Sequence, residues 1–109
     1  MSRLRYGNIY FKLPRAQDKE IVQVILKNKK LLIEQIISGG QATEKGAWLK
    51  STQDEWVLVL QGVGKLRFQS SSRLVTLRTG DYVYIPAHVA HRVEWTSKRK
   101  KTLWLAVHC

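Results

Sequence analysis

The feature that most constrains the fold is a series of short hydrophobic runs, separated by glycine-containing turns, that begins after Lys30. The runs are four to seven residues long and rich in β-branched and aromatic residues, which is typical of β-strands. The sequence predicts strands at residues 31–37, 56–60, 65–68, 73–77, 82–85, 91–96 and 102–108. Many short strands at close spacing indicate an all-β domain, either a sandwich or a barrel.

The segment before this series has a different pattern. Between residues 18 and 26, Ile21, Val22, Ile25 and Leu26 recur at helical spacing, with acids at the start and lysines beyond the end. This arrangement predicts a short amino-terminal helix. Apolar and polar residues also alternate in part of the same stretch, and it is rich in β-branched residues. A β-strand is therefore the alternative prediction.

The length of 109 residues fits a single domain with one core. We expect an arm and helix in residues 1–30 and a barrel in residues 31–109. No apolar run approaches the roughly 20 residues of a membrane span, and the amino terminus lacks the hydrophobic stretch of a signal peptide. The lone cysteine, Cys109, fits a reducing compartment. These observations predict a cytoplasmic protein without membrane contact.

The net charge is distributed unevenly, with +6 in residues 1–30, +1 in residues 31–95 and +4 in residues 96–109. The barrel region is nearly neutral, and the excess lies in the amino-terminal arm and in the loop 98–101. Nucleic-acid modules interleave aromatic residues with their cations, and this loop contains none. We therefore expect a solvated turn rather than nucleic-acid binding.

The second predicted strand has apolar residues on both faces. Val57 shares one face with Glu55, whereas Trp56, Leu58 and Leu60 form the other. A single-layer barrel wall would leave that second face in water, so it needs a cover. The cover is either the amino-terminal helix or a second copy of the chain, and the size of the patch favours a homodimer.

Two segments place an acid and an imidazole on neighbouring strands. Glu55 and Gly62 have the spacing of the last part of the first conserved cupin motif, and Gly80, Pro86 and His91 have the spacing of the second. The chain thus resembles the cupin superfamily, in particular its small single-domain bacterial members with a type-2 conserved barrel. The resemblance covers residues 31–108 and implies a double-stranded β-helix, or jelly-roll barrel.

The resemblance also implies a metal centre with four ligands, of which Glu55 and His91 are present. The two histidine positions of the first motif fall at Leu49 and Ser51, or at Trp48 and Lys50 in the other spacing. None of these is a good metal ligand, so a divalent transition metal would be weakly held or absent. His88, which replaces the family's glycine, could supply a third ligand. The alternative is that its ring bonds a carbonyl at the barrel mouth.

Without a metal, Glu55 needs another partner, because a lone buried carboxylate is costly. Lys50 could supply the cation, or could be an exposed lysine on a loop. Alternation places Val93 and Trp95 on the face of His91, and Trp48 could close the mouth. The residues predicted to line the pocket are Trp48, Lys50, Val57, Val93 and Trp95. His108 is expected to be a packing residue.

These residues support three hypotheses about function. The first is a small cupin that binds a small molecule, such as a sugar or a ring compound, with a degenerate or absent metal site and no certain cofactor. The second is a metal-dependent oxygenase, isomerase or lyase that acts on a small organic acid or sugar through Glu55, His91 and His88. The third is a basic interaction protein that binds an acidic partner or nucleic acid, and only the net charge supports this hypothesis.

Overall fold

The computed structural model describes residues 4–15 and 19–109. These residues form eight strands and no helix, and so contain no helix that could cross a membrane. The strands are β1 (Ile21–Lys27), β2 (Leu32–Ser38), β3 (Glu55–Gln61), β4 (Val63–Phe68), β5 (Leu74–Arg78), β6 (Tyr82–Ile85), β7 (His91–Thr96) and β8 (Thr102–His108). The all-β prediction and the seven strands expected after Lys30 are confirmed.

The helix predicted at residues 18–26 is wrong, because residues 21–27 form β1. Asp18, at the predicted start, lies outside the described residues. β1 pairs antiparallel with β2, with Ile21 opposite Ile37 and Val24 opposite Glu34. So short a helix would be marginal on its own, whereas the neighbouring strand offers backbone partners to a segment rich in β-branched residues. Tertiary pairing therefore decides between the two readings.

The strands form two antiparallel sheets that face each other. One has five strands in the order β1-β2-β8-β3-β6, and the other has three in the order β5-β4-β7. The segment 41–49 extends the smaller sheet beside β7, because Leu49 exchanges backbone hydrogen bonds with His91. The interior between the sheets is thus closed on most sides by backbone-paired chain.

The main core lies between the sheets. It is formed by Val57, Val59, Leu66, Leu77, Ile85, Trp104 and Ala106, all of them buried. The ring of Trp104 lies directly over Gly64, so closely that a Cβ atom on that glycine would overlap the ring. The indole N–H donates a hydrogen bond to the hydroxyl of Ser38 at 3.2 Å. Trp104 is therefore fixed on two sides, by a strand of the facing sheet and by β2.

The outward face of the five-stranded sheet is also apolar. Ile37 and Leu103 are fully buried there, beneath Leu13 of the amino-terminal arm and beside Ile21 and Leu60. The arm covers one end of this face. Toward the other end, Trp56 packs against Tyr82 with ring centroids 5.6 Å apart, and Tyr82 and Tyr84 are 64% and 55% exposed.

Candidate functional site

A cavity of about 100 Å³ lies between the sheets, below the point where β3 and β7 begin. Its lining residues are Glu20, Ile36, Leu49, Glu55, Val57, Leu66, Ile85, His91, Val93, Trp104 and Ala106. Most of the wall is apolar, and the ionisable groups that reach it are two carboxyls and one imidazole. An apolar cavity with few convergent polar groups is the usual form of a small-molecule site.

Glu55 and His91 face each other in this cavity. The Oε2 atom of Glu55 lies 3.6 Å from Nε2 of His91, and the two side chains are only 15% and 7% exposed. The other ring nitrogen of His91, Nδ1, lies 2.9 Å from the carbonyl oxygen of Val89. Because a carbonyl only accepts hydrogen bonds, Nδ1 carries a proton and Nε2 is the nitrogen directed at the carboxylate.

A second, larger pocket of about 300 Å³ adjoins the cavity and shares Glu20, Leu49 and Val93 with it. Glu20 precedes β1 and lies where the two spaces meet. Glu20 is exposed overall, and partial desolvation of its carboxyl by the surrounding chain raises its pKa above the usual value, because desolvation disfavours the charged form. The two spaces together give room for a molecule larger than the first cavity alone would admit.

The positions expected for metal ligands do not supply a full set of donors. Leu49 lines the cavity beside His91, so an apolar side chain occupies one of the two histidine positions. Ser51 accepts the backbone N–H of His88 through its carbonyl oxygen. Among residues 4–15 and 19–109, no three histidine, cysteine, aspartate or glutamate side chains come together as a metal site. One carboxylate and one imidazole do not fit a transition metal that needs three or more protein ligands.

His88 does not join the cavity. It is exposed and has a φ of 70°, a left-handed conformation that glycine adopts most easily. The second cupin motif has glycine at the position of His88, and this backbone conformation explains why glycine is favoured there. The structure therefore does not bring His88 together with Glu55 and His91.

The five residues predicted to line the pocket divide into two groups. Val57 and Val93 line the cavity. Trp48 is half-buried outside the lining, and Lys50 is exposed, so the ammonium expected beside Glu55 is not there. Trp95 is 41% exposed, and its placement on the interior face of His91 is wrong.

A β-bulge explains the position of Trp95. In the pairing of β4 with β7, Lys65 is opposite Trp95 but Leu66 is opposite Val93, so Glu94 is an extra residue in β7. One extra residue turns every later side chain to the other face. Trp95 consequently lies outside, where the ammonium of Lys65 is 5.2 Å from its ring centroid.

Two polar contacts hold the chain around the cavity. The guanidinium of Arg92 donates to the carbonyl oxygen of Thr43 at 2.8 Å and lies 3.0 Å from Glu94, which fixes the segment that carries Leu49. Asp54 accepts the backbone N–H of Ala87 at 2.9 Å. That hydrogen bond, followed by one from Tyr84, holds the pKa of Asp54 below its usual value.

Sequence reasoning missed a second acid and imidazole. The Nε2 atom of His108 lies 2.9 Å from Oε1 of Glu34, with the two side chains 17% and 20% exposed. The two residues are 74 positions apart in the chain, and they meet because β2 and β8 are neighbours in the larger sheet. No local motif signals such a contact. Knowledge of the strand order would have predicted it.

Two facing antiparallel sheets in this order, closed around a cavity that holds an acid and an imidazole, define a barrel of the double-stranded β-helix class. The cupin domain model matches residues 35–108. The chain therefore belongs to the cupin family, as its motifs indicated.

Solved structures agree with this assignment. A protein from Ralstonia eutropha JMP134, provisionally named a mannose-6-phosphate isomerase, is 42% identical with a TM-score of 0.92, covering 97% of this chain and 98% of that one. A cupin superfamily protein from Desulfitobacterium hafniense DCB-2 has a TM-score of 0.74 at 16% identity, covering 88% and 82%. Hydroxypropylphosphonic acid epoxidase from S. wedmorenis has a TM-score of 0.71 at 15% identity, covering 84% of this chain and 51% of that one. The last two share the fold alone. No curated protein matches the sequence.

Proposed function

We propose that the protein binds a small hydroxylated organic molecule in the barrel, with Glu55 and His91 as its polar anchor. The observation that carries the proposal is the 3.6 Å gap between Oε2 of Glu55 and Nε2 of His91. Direct hydrogen bonds are shorter than this. A ligand hydroxyl placed in the gap can form hydrogen bonds with both groups.

The surroundings of the pair favour such a ligand. The remaining wall is largely apolar, so a bound hydroxyl group would find few competing partners apart from Glu20 at the boundary. A buried polar pair that is left without a partner costs free energy, and a ligand that completes its hydrogen bonds recovers that cost. A small sugar presents both the hydroxyl groups and the apolar ring face that this cavity could accommodate.

The test uses Glu55→Gln and His91→Gln, with Glu44→Gln as a matched control on an exposed residue. Mannose and mannose 6-phosphate serve as probes, and binding is followed by calorimetry and by the side-chain ¹⁵N shifts of His91. We expect the wild type and Glu44→Gln to bind equally, and each cavity variant to bind at least about tenfold more weakly, the loss of one charge-assisted hydrogen bond. Equal binding by all four proteins would show that the pair is not the anchor.

A second candidate function is isomerisation of a hydroxy-carbonyl compound by proton transfer. It is favoured by the 42% identity to the Ralstonia eutropha protein named for mannose 6-phosphate and by the acid and imidazole facing one cavity. General acid–base catalysis needs such groups within reach of the reacting atoms. Conversion of mannose 6-phosphate to the corresponding ketose, measured after treatment with a chelator, tests it. Conversion that requires added metal would favour the metal-dependent alternative, for which the donor set is incomplete.

We also propose that a second copy of the chain covers the outward face of the five-stranded sheet. The outward positions of β2, β8, β3 and β6 carry no charged residue, although the chain has a net charge of +11. Contact through a neutral surface keeps the positive charges of the two copies out of the interface and so limits their repulsion. The arm supports the same proposal, since Leu4, Tyr6 and Phe11 are 87%, 94% and 70% exposed.

The oligomeric state tests this surface. Tyr82→Glu places a charge on the proposed interface, and Leu74→Glu places one on an exposed apolar residue of the other sheet. Sedimentation equilibrium should show a dimer for the wild type and for Leu74→Glu, and a monomer for Tyr82→Glu. A wild type that stays monomeric at millimolar concentration would refute the proposal. The cytoplasmic location stays a prediction.

A further inference from the structure

The outward face of the three-stranded sheet is basic. In β4, Leu66 lines the cavity, so alternation directs Lys65 and Arg67 outward. Arg78, the last residue of the neighbouring strand β5, is exposed. Because the outward positions of β2, β8, β3 and β6 carry no charged residue, the two sides of the barrel differ strongly in charge.

Most of the charge on this face has no acidic partner. Glu94 is the only acid in the three strands β4, β5 and β7, and it lies 3.5 Å from Arg67 and 3.0 Å from Arg92. No other lysine or arginine forms an ion pair within residues 4–15 and 19–109, so Lys65 and Arg78 are not neutralised. The face thus keeps an excess of positive charge that attracts an anionic partner.

The basic loop 98–101 adjoins this sheet where β7 ends. The backbone N–H of Ser97 donates to the carbonyl oxygen of Val63, at the start of β4, at 3.2 Å. The hydroxyl of Ser97 accepts the backbone N–H groups of Arg99 and Lys100 at 3.2 and 3.3 Å. These contacts hold the loop as a turn, with the side chains of Lys98, Arg99 and Lys100 exposed. The loop cations are therefore fixed at the end of the barrel away from the cavity mouth.

Trp95 is the exposed aromatic residue of the same face, because the β-bulge in β7 turns it outward. Lys65 is directly opposite it in the strand register, and the ammonium lies 5.2 Å from the ring centroid. The indole is 41% exposed and precedes the loop 98–101 by three residues. The loop itself contains no aromatic residue, which argued against nucleic-acid binding from sequence alone, but the fold supplies one in the adjoining strand.

Single-stranded nucleic acid is the partner whose chemistry uses both the cations and the ring. Cations bind phosphates, and an exposed aromatic ring offers a stacking surface to an unpaired base. A phosphate bound by Lys65 would lie next to a base stacked on Trp95. An acidic protein or an anionic lipid surface brings only negative charge, which the negative face of an indole does not attract. A duplex keeps its bases stacked on one another and offers none to the ring.

We propose that the outward face of β4, β5 and β7, together with the loop 98–101, binds single-stranded nucleic acid. Trp95 stacks on one base, while Lys65, Arg78 and the loop cations bind phosphates. A face of this size suits a short segment of about four nucleotides. It lies on the side of the barrel opposite the five-stranded sheet, so it stays free in the proposed dimer and does not depend on the ligand of the cavity.

The first experiment separates a defined site from general positive charge. Fluorescence anisotropy follows binding of a labelled oligothymidylate of about twelve nucleotides, long enough for one such site, over a series of salt concentrations. The loop variant carries Lys98→Ala, Arg99→Ala and Lys100→Ala. The matched control removes the same charge from exposed positions at the end of β1 and in the turn after it, and carries Lys27→Ala, Lys29→Ala and Lys30→Ala.

We expect the loop variant to bind at least about tenfold more weakly than wild type. The slope of log affinity against log salt should fall in magnitude by about 2, which corresponds to three lost phosphate contacts on a single strand. The control should change the affinity less than about threefold. Equal losses in the two variants would show that only general charge is involved and would overturn the proposal.

The second experiment tests stacking. Trp95→Leu should weaken binding about tenfold or more, the usual effect of losing one stacked base, whereas Trp95→Phe should retain most of the affinity. Tyr10→Leu, which removes an exposed aromatic residue of the arm, is the control and should bind as wild type does. Thermal scans verify that each variant is folded. An abasic strand of the same length should bind wild type about tenfold more weakly, and this comparison needs no substitution.

Four results would overturn the proposal. They are equal binding of the abasic strand, an affinity unchanged in Trp95→Leu, no binding of the oligothymidylate by wild type at low salt, and tighter binding of polyglutamate or of phosphatidylserine vesicles than of the oligothymidylate. The last result would indicate an acidic protein or a membrane surface as the partner. None of these results bears on ligand binding through Glu55 and His91.

Discussion

Replacement of Gly64 by alanine tests how tightly Trp104 is held at the wall of the cavity. A Cβ atom at position 64 would overlap the ring of Trp104, which is only 4% exposed. Overpacking of a core costs about 1–3 kcal/mol. A displaced ring would also lose its hydrogen bond to Ser38, worth roughly 1 kcal/mol. The substitution recovers about 0.4–1 kcal/mol because alanine restricts the unfolded chain.

The net expectation for Gly64→Ala is a loss of about 1–3.5 kcal/mol in the free energy of unfolding. For a domain of this size, that corresponds to a fall in Tm of roughly 4–14 °C. Urea denaturation followed by circular dichroism measures the free energy, and a thermal scan measures Tm. Because Trp104 also lines the cavity, a ring that moves inward should weaken binding of mannose to the same variant.

Gly7→Ala is the matched control, because no atom lies within 4 Å of a Cβ built at that position. It should change the free energy of unfolding by less than about 0.5 kcal/mol. If Gly64→Ala were as stable as Gly7→Ala, the contact between β4 and Trp104 would not constrain the core. The reasoning about the cavity wall would then fail with it.

Three further predictions concern the edges of the site. Asp54→Asn removes a carboxyl whose pKa is lowered from 3.8 by the hydrogen bond from the Ala87 N–H. The carboxylate therefore stabilises the folded protein above pH 3.8, and this stabilisation is lost as the pH falls through the lowered value. Denaturant titrations in which Asp54→Asn differs from wild type equally at every pH would contradict this. Glu20→Gln should be slightly more stable than wild type at pH 7, because partial desolvation raises the pKa of this exposed glutamate above 4.5 and solvent screening keeps the effect small. The advantage should vanish below pH 4.5, and a Glu20→Gln variant less stable than wild type at pH 7 would refute it. Arg92→Ala should lower the free energy of unfolding by about 2 kcal/mol through the loss of its charge-assisted hydrogen bonds. It should also speed hydrogen exchange in residues 43–47, and unchanged protection there would show that Arg92 does not hold this segment.

Most of the fold could be predicted from local pattern. The strands after Lys30 lie where short apolar runs rich in β-branched and aromatic residues end at glycine-containing turns, because runs of four to seven such residues are too short for a buried helix. The segment that became β1 could not be assigned in this way. Its apolar residues fit two periods, and the choice was made by pairing with β2, whose location the local sequence does not contain.

The site could be predicted only in part, for two physical reasons. The motifs identified Glu55 and His91, and alternation identified Val57 and Val93 as residues of the same interior. Alternation failed at Trp95, because a single extra residue in β7 reverses the faces and has no signature in composition.

The second acid–imidazole pair was missed for a different reason. Glu34 and His108 belong to strands near opposite ends of the chain, and each alone resembles an ordinary polar residue at a strand end. Their contact depends on the order of strands in the sheet. Prediction of such a pair therefore requires topology as well as periodicity.

The strand order has a consequence for how this protein is made in the cell. β8 lies in the middle of the five-stranded sheet, hydrogen-bonded to β2 on one side and to β3 on the other. It is also the last of the eight strands to leave the ribosome. Until residues 102–108 emerge, β2 and β3 have no shared neighbour and expose unpaired edges to solvent. The nascent chain should therefore remain a client of chaperones until synthesis passes β8, and truncation before residue 102 should yield insoluble protein rather than a smaller barrel.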